Sequence, residues 1–375
     1  MSQSAVLDQP EQVRVIDKNR MIELCEKMPD FCRDAIKRAE RVRIPYEIPK
    51  NIIIVGMGGS AIGGQLLKDW LHNKASIPIE VCRDYVLPGY ADRSSLVVAV
   101  SYSGQTEETL TAFLEAARRH CTIVTVSSGG HLQAFSEKLQ TPHIGIPEGF
   151  APRAAIAYTF FPLVVLMEKL GVAKNVKGEV QETLQVLRKV SEENKLKVPL
   201  KNNQAKKLAT EIEGTVPIVY GFRQYDSVAR RLKCQFNENS KVPSKFDVFS
   251  ELNHNEVVGW EAPRNLTKHF SIILIRDSQE PPEIKHRIEI TKQIASKKVS
   301  RMLEIHAVGK HKLARMLSAM YVGDFASIYL ALLRGVDPTP TKTIARLKRE
   351  MKKKLDMTEK LERQMRQIGT PFTDI

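Results

Sequence analysis

Apolar and polar positions follow two rhythms along the chain. Over residues 11–42 apolar residues recur at helical spacing (Val13, Ile16, Met21, Leu24), which predicts one or two leading helices. Pro45 and Pro49 end that rhythm and introduce a run without a polar break, Asn51-Ile52-Ile53-Ile54-Val55. Further apolar runs follow at 77–81, 96–100 and 122–126, with helical spacing over 61–72 and 107–119 between them. Strands covered by helices on both faces have no solvent side to keep polar, so these short apolar runs predict a parallel sheet. The apolar stretch 154–170 predicts a buried helix, too short and interrupted for a membrane span.

Residues 172–208 turn to Lys, Glu, Gln and Asn and predict a solvated connecting helix. The first pattern then restarts. Val216-Pro217-Ile218-Val219-Tyr220-Gly221 sets a strand directly before a glycine, as Ile52–Gly56 does. Residues 271–275 parallel 96–100, and 302–308 parallel 123–126. The expected fold is α/β, with two tandem doubly wound parallel-sheet domains flanked by N- and C-terminal helices. The expected bounds are a helical segment 1–45, a first domain 46–172, the connecting helix 173–208, a second domain 209–336 and a helical tail 337–375. Within this scheme the helix Lys312–Leu333 ends before Asp337-Pro338-Thr339-Pro340, which breaks the chain ahead of a basic helix.

A length of 375 residues is too great for one ordinary core and agrees with two domains. The five cysteines are odd in number and form no C-x-x-C pair, which fits reduced thiols in a cytosolic protein better than a disulfide framework or a zinc site. No basic segment followed by an apolar one opens the sequence, so no signal peptide is expected and the protein is read as cytoplasmic. The net charge of +14 raises the question of nucleic acid. Much of it sits on Lys342, Arg346, Lys348, Arg349, Lys352, Lys353 and Lys354, on one helical stretch. A solvated helix face explains it more simply, so neither nucleic acid nor membrane is expected as a partner. A basic surface also concentrates a small phosphorylated substrate.

Two loops carry the chemistry. The first, Gly56-Met57-Gly58-Gly59-Ser60-Ala61-Ile62-Gly63-Gly64, joins a strand to a helix, where backbone N–H groups and the helix terminus favour an anion. It also fits the dinucleotide pattern G-x-G-x-x-A, with Glu80 at a plausible distance for a ribose contact, and tight strand-to-helix packing would ask for glycines too. The absence of Gly-Lys-Ser/Thr excludes a P-loop. The second loop, Ser101-Tyr102-Ser103-Gly104-Gln105-Thr106, brings three hydroxyls to another strand-to-helix junction. A dinucleotide fold does not need them, whereas phosphate oxygens do. Helix capping by Thr106 would account for one hydroxyl and leave Ser101 and Ser103 unexplained. Ser127-Ser128-Gly129-Gly130 is a third candidate wall of the same pocket.

With Gly-Met-Gly-Gly-Ser-Ala at 56–61 and Ser-Tyr-Ser-Gly-Gln-Thr-Glu-Glu-Thr at 101–109, the chain resembles sugar isomerase (SIS) domains. Ala151-Pro152-Arg153, Asn237-Glu238-Asn239-Ser240-Lys241, Glu251-Leu252-Asn253-His254-Asn255-Glu256 and Asp337-Pro338-Thr339-Pro340-Thr341 follow in order. Together they resemble the bifunctional phosphoglucose/phosphomannose isomerases best known from archaea. The resemblance covers about residues 45–350 and leaves 1–40 and 176–208 unexplained.

This resemblance implies a metal-independent, cofactor-free interconversion of glucose 6-phosphate and mannose 6-phosphate with fructose 6-phosphate, in glycolysis and gluconeogenesis. It implies that Gly58, Gly59, Ser60, Ser101, Ser103 and Thr106 bind the phosphate. Glu238 would be the carboxylate that moves the proton between C2 and C1. His254 would open the sugar ring, reaching into the neighbouring subunit of a homodimer. Arg153 would stabilise the enediolate charge. Lys348, seven residues beyond the pocket residue Thr341, would assist ring opening, with Lys342 as the other register. A threonine at 341, smaller than the glutamine of glucose-specific relatives, would let the intermediate turn about C2–C3. Asp277 and Glu280, in the second domain's counterpart of the phosphate loop, would repel phosphate, so one active site per chain is expected. A sugar-phosphate-binding regulator, an isomerase of another phosphosugar and a nicotinamide oxidoreductase are the competing readings.

Overall fold

The computed structural model describes residues 3–368, so the outer ends of the segments 1–45 and 337–375 lie outside the described residues. The chain forms two compact units, each discontinuous in sequence. One comprises Asp30–Val176 with Thr341–Ile375, the other Met1–Pro29 with Lys177–Pro340.

In the first unit five parallel strands are ordered β2-β1-β3-β4-β5: β1 (Asn51–Val55), β2 (Ile79–Cys82), β3 (Ser95–Val100), β4 (Thr122–Ser127) and β5 (His143–Gly145). Side chains on a strand alternate between its faces, and β1 serves both. Ile53 and Val55 join Val97, Ala99 and Ile123 in a core closed by Leu110, Phe113 and Leu114 of the helix Glu107–Arg118. Leu361 and Met365 of the helix Met357–Gln367 complete that layer. Ile54 points the other way, where Gly64 of the helix Gly58–Leu71 lies so near that a Cβ would come within 2.8 Å of its methyl group. The same helix approaches Ile156–Lys169 closely, since a Cβ on Gly63 would lie 2.5 Å from the Thr159 carbonyl. Ile52, Ile53 and Ile54 have no exposed surface. Each contributes about 1.5–3 kcal/mol of burial, which is why this run is a strand with two covered faces.

The second unit repeats the scheme with four parallel strands ordered β7-β6-β8-β9: β6 (Val216–Phe222), β7 (Lys245–Phe249), β8 (Phe270–Arg276) and β9 (Arg301–His306). The expected doubly wound pair is therefore present, and β8 and β9 hold the sheet positions of β3 and β4. The helix Lys312–Leu333 is long and apolar enough to cross a membrane, and its apolar window is entirely buried in the protein.

Several local expectations change. Among the described residues the leading segment holds the 3-10 turn Gln3–Asp8 and three α-helices, Pro10–Ile16, Met21–Glu26 and Met28–Arg41. Asp17 breaks the first rhythm because its carboxylate accepts the Met21 and Ile22 amides at 2.8 and 2.9 Å, starting a new helix. The strand expected at 77–81 starts at Ile79, since Pro78 has no N–H for the ladder and only its carbonyl serves Ile52. β5 and β7 have no apolar signature because they are edge strands, where Lys245 and Asp247 are tolerated.

The region 172–208 is not a solvated connector. It contains the helix Val176–Asn194 and the start of Gln204–Ile212, with Leu187, Asn194, Asn203 and Lys206 buried. The fully buried Lys206 ammonium donates to the Leu7 carbonyl (2.6 Å), Asp8 (2.9 Å) and the Leu196 carbonyl (2.8 Å). Three acceptors replace its water, so a lysine that reads as surface sits in the interior.

Candidate active site

In an open parallel sheet the crevice lies where successive connections leave in opposite directions, outside the carboxyl ends of the strands. In the five-stranded sheet that point is between β1 and β3, and both hydroxyl- and glycine-rich loops start there. After β1, Gly58 adopts φ +51° and opens the helix Gly58–Leu71, whose N-cap position, Met57, offers no side-chain acceptor. In its first turn the Ser60 amide donates to the Met57 carbonyl at 3.0 Å, and the helix terminus favours an anion at the amides before it. Ser60 ties this loop to the next, its Oγ accepting the Tyr102 amide at 3.3 Å.

After β3, Ser101 Oγ donates to Thr106 Oγ1 at 2.9 Å, and Ser103 Oγ accepts the Gln105 amide at 3.3 Å. Thr106 holds the N-cap position of Glu107–Arg118 without capping it through its side chain. Its hydroxyl is instead engaged by Ser101, so capping does not explain the residue, and the helix amides remain available to an anion. Of the two first-turn carboxylates, Glu107 takes a hydrogen bond from the Tyr85 hydroxyl at 3.0 Å.

A third loop, Ser127–Gly130, closes against the second. Gly104 has φ +65°, and a Cβ there would stand 1.8 Å from the Gly129 carbonyl oxygen. The Ser128 amide and hydroxyl both donate to the Tyr102 carbonyl, at 2.9 and 2.7 Å. Arg153 sits on the turn Pro152–Ala154 and is only 4% exposed, so it is no surface arginine. Its turn lies on Gly59, where a Cβ would be 3.1 Å from the Pro152 carbonyl. Gly58, Gly59, Ser60, Ser101, Ser103, Thr106 and Arg153 are thus gathered on adjoining loops of one unit. Thr341 and Lys348 belong to the same unit, Thr341 at the N-cap of the exposed helix Lys342–Lys354 and Lys348 exposed within it.

The features that favour a dinucleotide have other occupations. Gly63 and Gly64 serve helix packing, and Glu80 accepts the Tyr90 hydroxyl.

Glu238 and His254 lie in the second unit. The helix Asp226–Gln235 widens into a π-helical turn, Phe236–Ser240, which ends at Lys241 with φ +55°. Such one-turn widenings are frequent at functional sites because they displace a side chain from the regular helical path. Glu238 is half-buried on this turn. The turn is anchored by Asn239 Nδ2 to Ser327 Oγ (2.9 Å) and by Ser240 Oγ to the Ser327 carbonyl (2.6 Å). Lys241 Nζ donates to the Glu238 carbonyl and, at 2.9 Å, to that of Pro338. Behind it, the buried Arg231 and Gln235 side chains both reach the Asp324 carboxylate. His254 is exposed, beyond the turn Glu251–Asn253, with its amide on the Glu251 carbonyl at 2.8 Å.

The crevice of the second sheet differs from its expected form. Asp277 and Glu280 are not bare carboxylates. Asp277 accepts from Arg315 (2.9 Å) and the Tyr225 hydroxyl, and Glu280 binds Arg276 through both oxygens at 2.7 and 3.0 Å. The arginines neutralise the charge, so repulsion of phosphate by bare carboxylates, the expected form of this crevice, does not describe it.

Residues 201–351 match the bacterial phosphoglucose isomerase C-terminal SIS domain. Over 325 residues the chain is 43% identical to a bifunctional phosphoglucose/phosphomannose isomerase of Caldicellulosiruptor bescii, covering 83% of this chain and 96% of the relative. The chain belongs to the bifunctional phosphoglucose/phosphomannose isomerase family. An Aquifex aeolicus protein of the same description is 37% identical over 310 residues, or 82% of this chain and 92% of the relative. A glucose-6-phosphate isomerase like protein from Thermus thermophilus has the same fold, with a TM-score of 0.61 at 19% identity over 91% of this chain and 98% of the other.

Within this bifunctional family framework two residues stand out that the loop reading had passed over. Tyr102 sits between the two serines, and an aromatic ring in an otherwise small and polar loop was its sequence signal. Lys241 follows the Glu238 turn, and a non-glycine residue held at positive φ has no sequence signal of its own.

Proposed function

We propose that the protein is an aldose–ketose isomerase interconverting glucose 6-phosphate and mannose 6-phosphate with fructose 6-phosphate. The observation that carries this reading is the pair of uncapped helix termini and hydroxyl loops meeting at the β1/β3 switch point beside the buried Arg153. That arrangement suits a phosphate on one side and a developing oxyanion on the other. The phosphate binds to Gly58, Gly59, Ser60, Ser101, Ser103 and Thr106.

Glu238 takes the C2 proton of the aldose and returns it to C1, the hydroxyl proton passes from O2 to O1, and the enediolate charge between the two steps is held by Arg153. The reverse transfer starts from fructose 6-phosphate, and delivery to either face of C2 separates glucose from mannose. A carboxylate does this without a metal or an organic cofactor. Thr341 leaves the intermediate room to turn about C2–C3. Ring opening uses Lys348 and His254, the histidine supplied across a homodimer. Residues 46–172 and 209–336 are taken as the two SIS domains, and the enzyme works in the cytoplasm on the central hexose phosphates of glycolysis and gluconeogenesis.

The test supplies purified protein with fructose 6-phosphate and measures both aldose phosphates separately. Both products, formed at rates within about an order of magnitude of each other, support the proposal. Tight binding without turnover would make the protein a sugar-phosphate-binding regulator, and turnover of a different phosphosugar alone would also defeat it.

A further inference from the structure

We propose that Tyr102 is a positioning residue that keeps the Arg153 loop in register with the phosphate loops, so that phosphate binding and enediolate stabilisation share one frame. The proposal rests on the assignment of Arg153 to the enediolate. Tyr102 uses every polar group it has. Its amide donates to Ser60 Oγ at 3.3 Å, which joins the loop after β1. Its carbonyl accepts the Ser128 amide and hydroxyl at 2.9 and 2.7 Å, which joins the loop after β4. Its phenol oxygen accepts the Phe150 amide at 2.7 Å, three residues before Arg153.

The first two attachments are made by backbone that any residue would supply. Only the third requires tyrosine, because it spans 48 residues of sequence through the length of the ring. The segment it holds lies outside the sheet. Gly149 lies at φ +92°, and the residues up to Arg153 belong to no strand or long helix. The Phe150 ring meets Phe31 edge-on at 5.0 Å and Tyr158 at 5.5 Å, which seats the side chain. Its backbone is fixed by the Tyr102 hydroxyl, and the chain then turns at Pro152 over Gly59. Phe150 lies three residues before the buried Arg153, so its backbone hydrogen bond bears on the turn that carries the guanidinium. Burial raises the phenol above its ordinary value, so it stays neutral at working pH. Removing the hydroxyl thus deletes a hydrogen bond and no charge.

Tyr102→Phe, Arg153→Lys and the double variant test this. Tyr102→Phe is expected to lower kcat about tenfold, the scale of one buried hydrogen bond applied to positioning. It should leave the inhibition constant for inorganic phosphate within twofold, because backbone groups make the other attachments. In the Arg153→Lys background the same change should alter kcat less than twofold, since its effect acts through Arg153. Equal losses in both backgrounds, or a parallel loss of phosphate affinity, would overturn the proposal. Amide exchange at Phe150 gives a readout independent of activity, expected to accelerate at least tenfold in Tyr102→Phe, and an unchanged rate also overturns it. Full activity of Arg153→Lys would instead remove the role given to Arg153, and Phe150 exchange would still decide whether the hydroxyl holds the loop.

Discussion

Gly104 is the tightest approach between the loops proposed to bind phosphate, and Gly104→Ala probes it with a single methyl group. The added Cβ would stand 1.8 Å from the Gly129 carbonyl oxygen, where a comfortable carbon–oxygen contact needs about 3.3 Å. The loops after β3 and β4 must part by roughly 1.5 Å to admit it. That movement breaks two bonds that clasp them, Leu132 N–H to the Gly104 carbonyl (3.0 Å) and Ser128 N–H to the Tyr102 carbonyl (2.9 Å). Each is worth about 1 kcal/mol. Alanine at φ +65° adds about 1–2 kcal/mol of backbone strain. The expected cost is therefore about 3–4 kcal/mol, which for a domain of this size lowers Tm by roughly 10 °C. The proposed phosphate site opens with the loops, so KM for fructose 6-phosphate should rise at least about tenfold. Thermal unfolding and steady-state kinetics of the one variant measure both. A Tm within 3 °C of wild type together with a KM within twofold would refute the clasp and its place in the pocket.

Other expectations follow from the same geometry. Burial holds the His143 imidazole below its usual value, with Nδ1 2.8 Å from Thr125 Oγ1. The folded protein therefore gains the full benefit of neutral His143 above the unfolded pKa of about 6.5 and loses it as the pH falls toward the folded value. Denaturant midpoints should drop between pH 7.5 and 5.5, and His143→Gln should reduce that drop. Lys241→Met removes the ammonium that bonds the Glu238 and Pro338 carbonyls. It should cost about 2 kcal/mol in chemical unfolding and lower kcat more than it raises KM. Thr341→Gln should depress mannose 6-phosphate formation at least fivefold more than glucose 6-phosphate formation. Equal rates for both sugars would count against the Thr341 argument.

The apolar strand runs were legible because a strand covered on both faces leaves no room for polar residues, and β1, β3, β4 and β8 lie within a residue or two of their expected bounds. β5 and β7 escaped for the opposite reason, since an edge strand needs no apolar run. Lys206 was unreadable because a buried lysine is betrayed only by its acceptors, and two of them, Leu7 and Asp8, lie almost two hundred residues away. The hydroxyl loop could be read as chemistry, but whether Thr106 caps its helix needed its actual partner, Ser101. Asp277 shows the limit of counting charges. Its sign was plain in the sequence, while its neutralisation by Arg315, 38 residues away, was not.

The measurement closest to the central claim is the turnover of fructose 6-phosphate by EDTA-treated protein, wild type beside Glu238→Gln, with both aldose products followed and inorganic phosphate titrated as an inhibitor. The account expects both products from wild type, a loss of kcat of at least about 100-fold in the variant, and an unchanged phosphate inhibition constant. Wild-type activity retained by Glu238→Gln, or wild-type protein silent until a metal is restored, would contradict it.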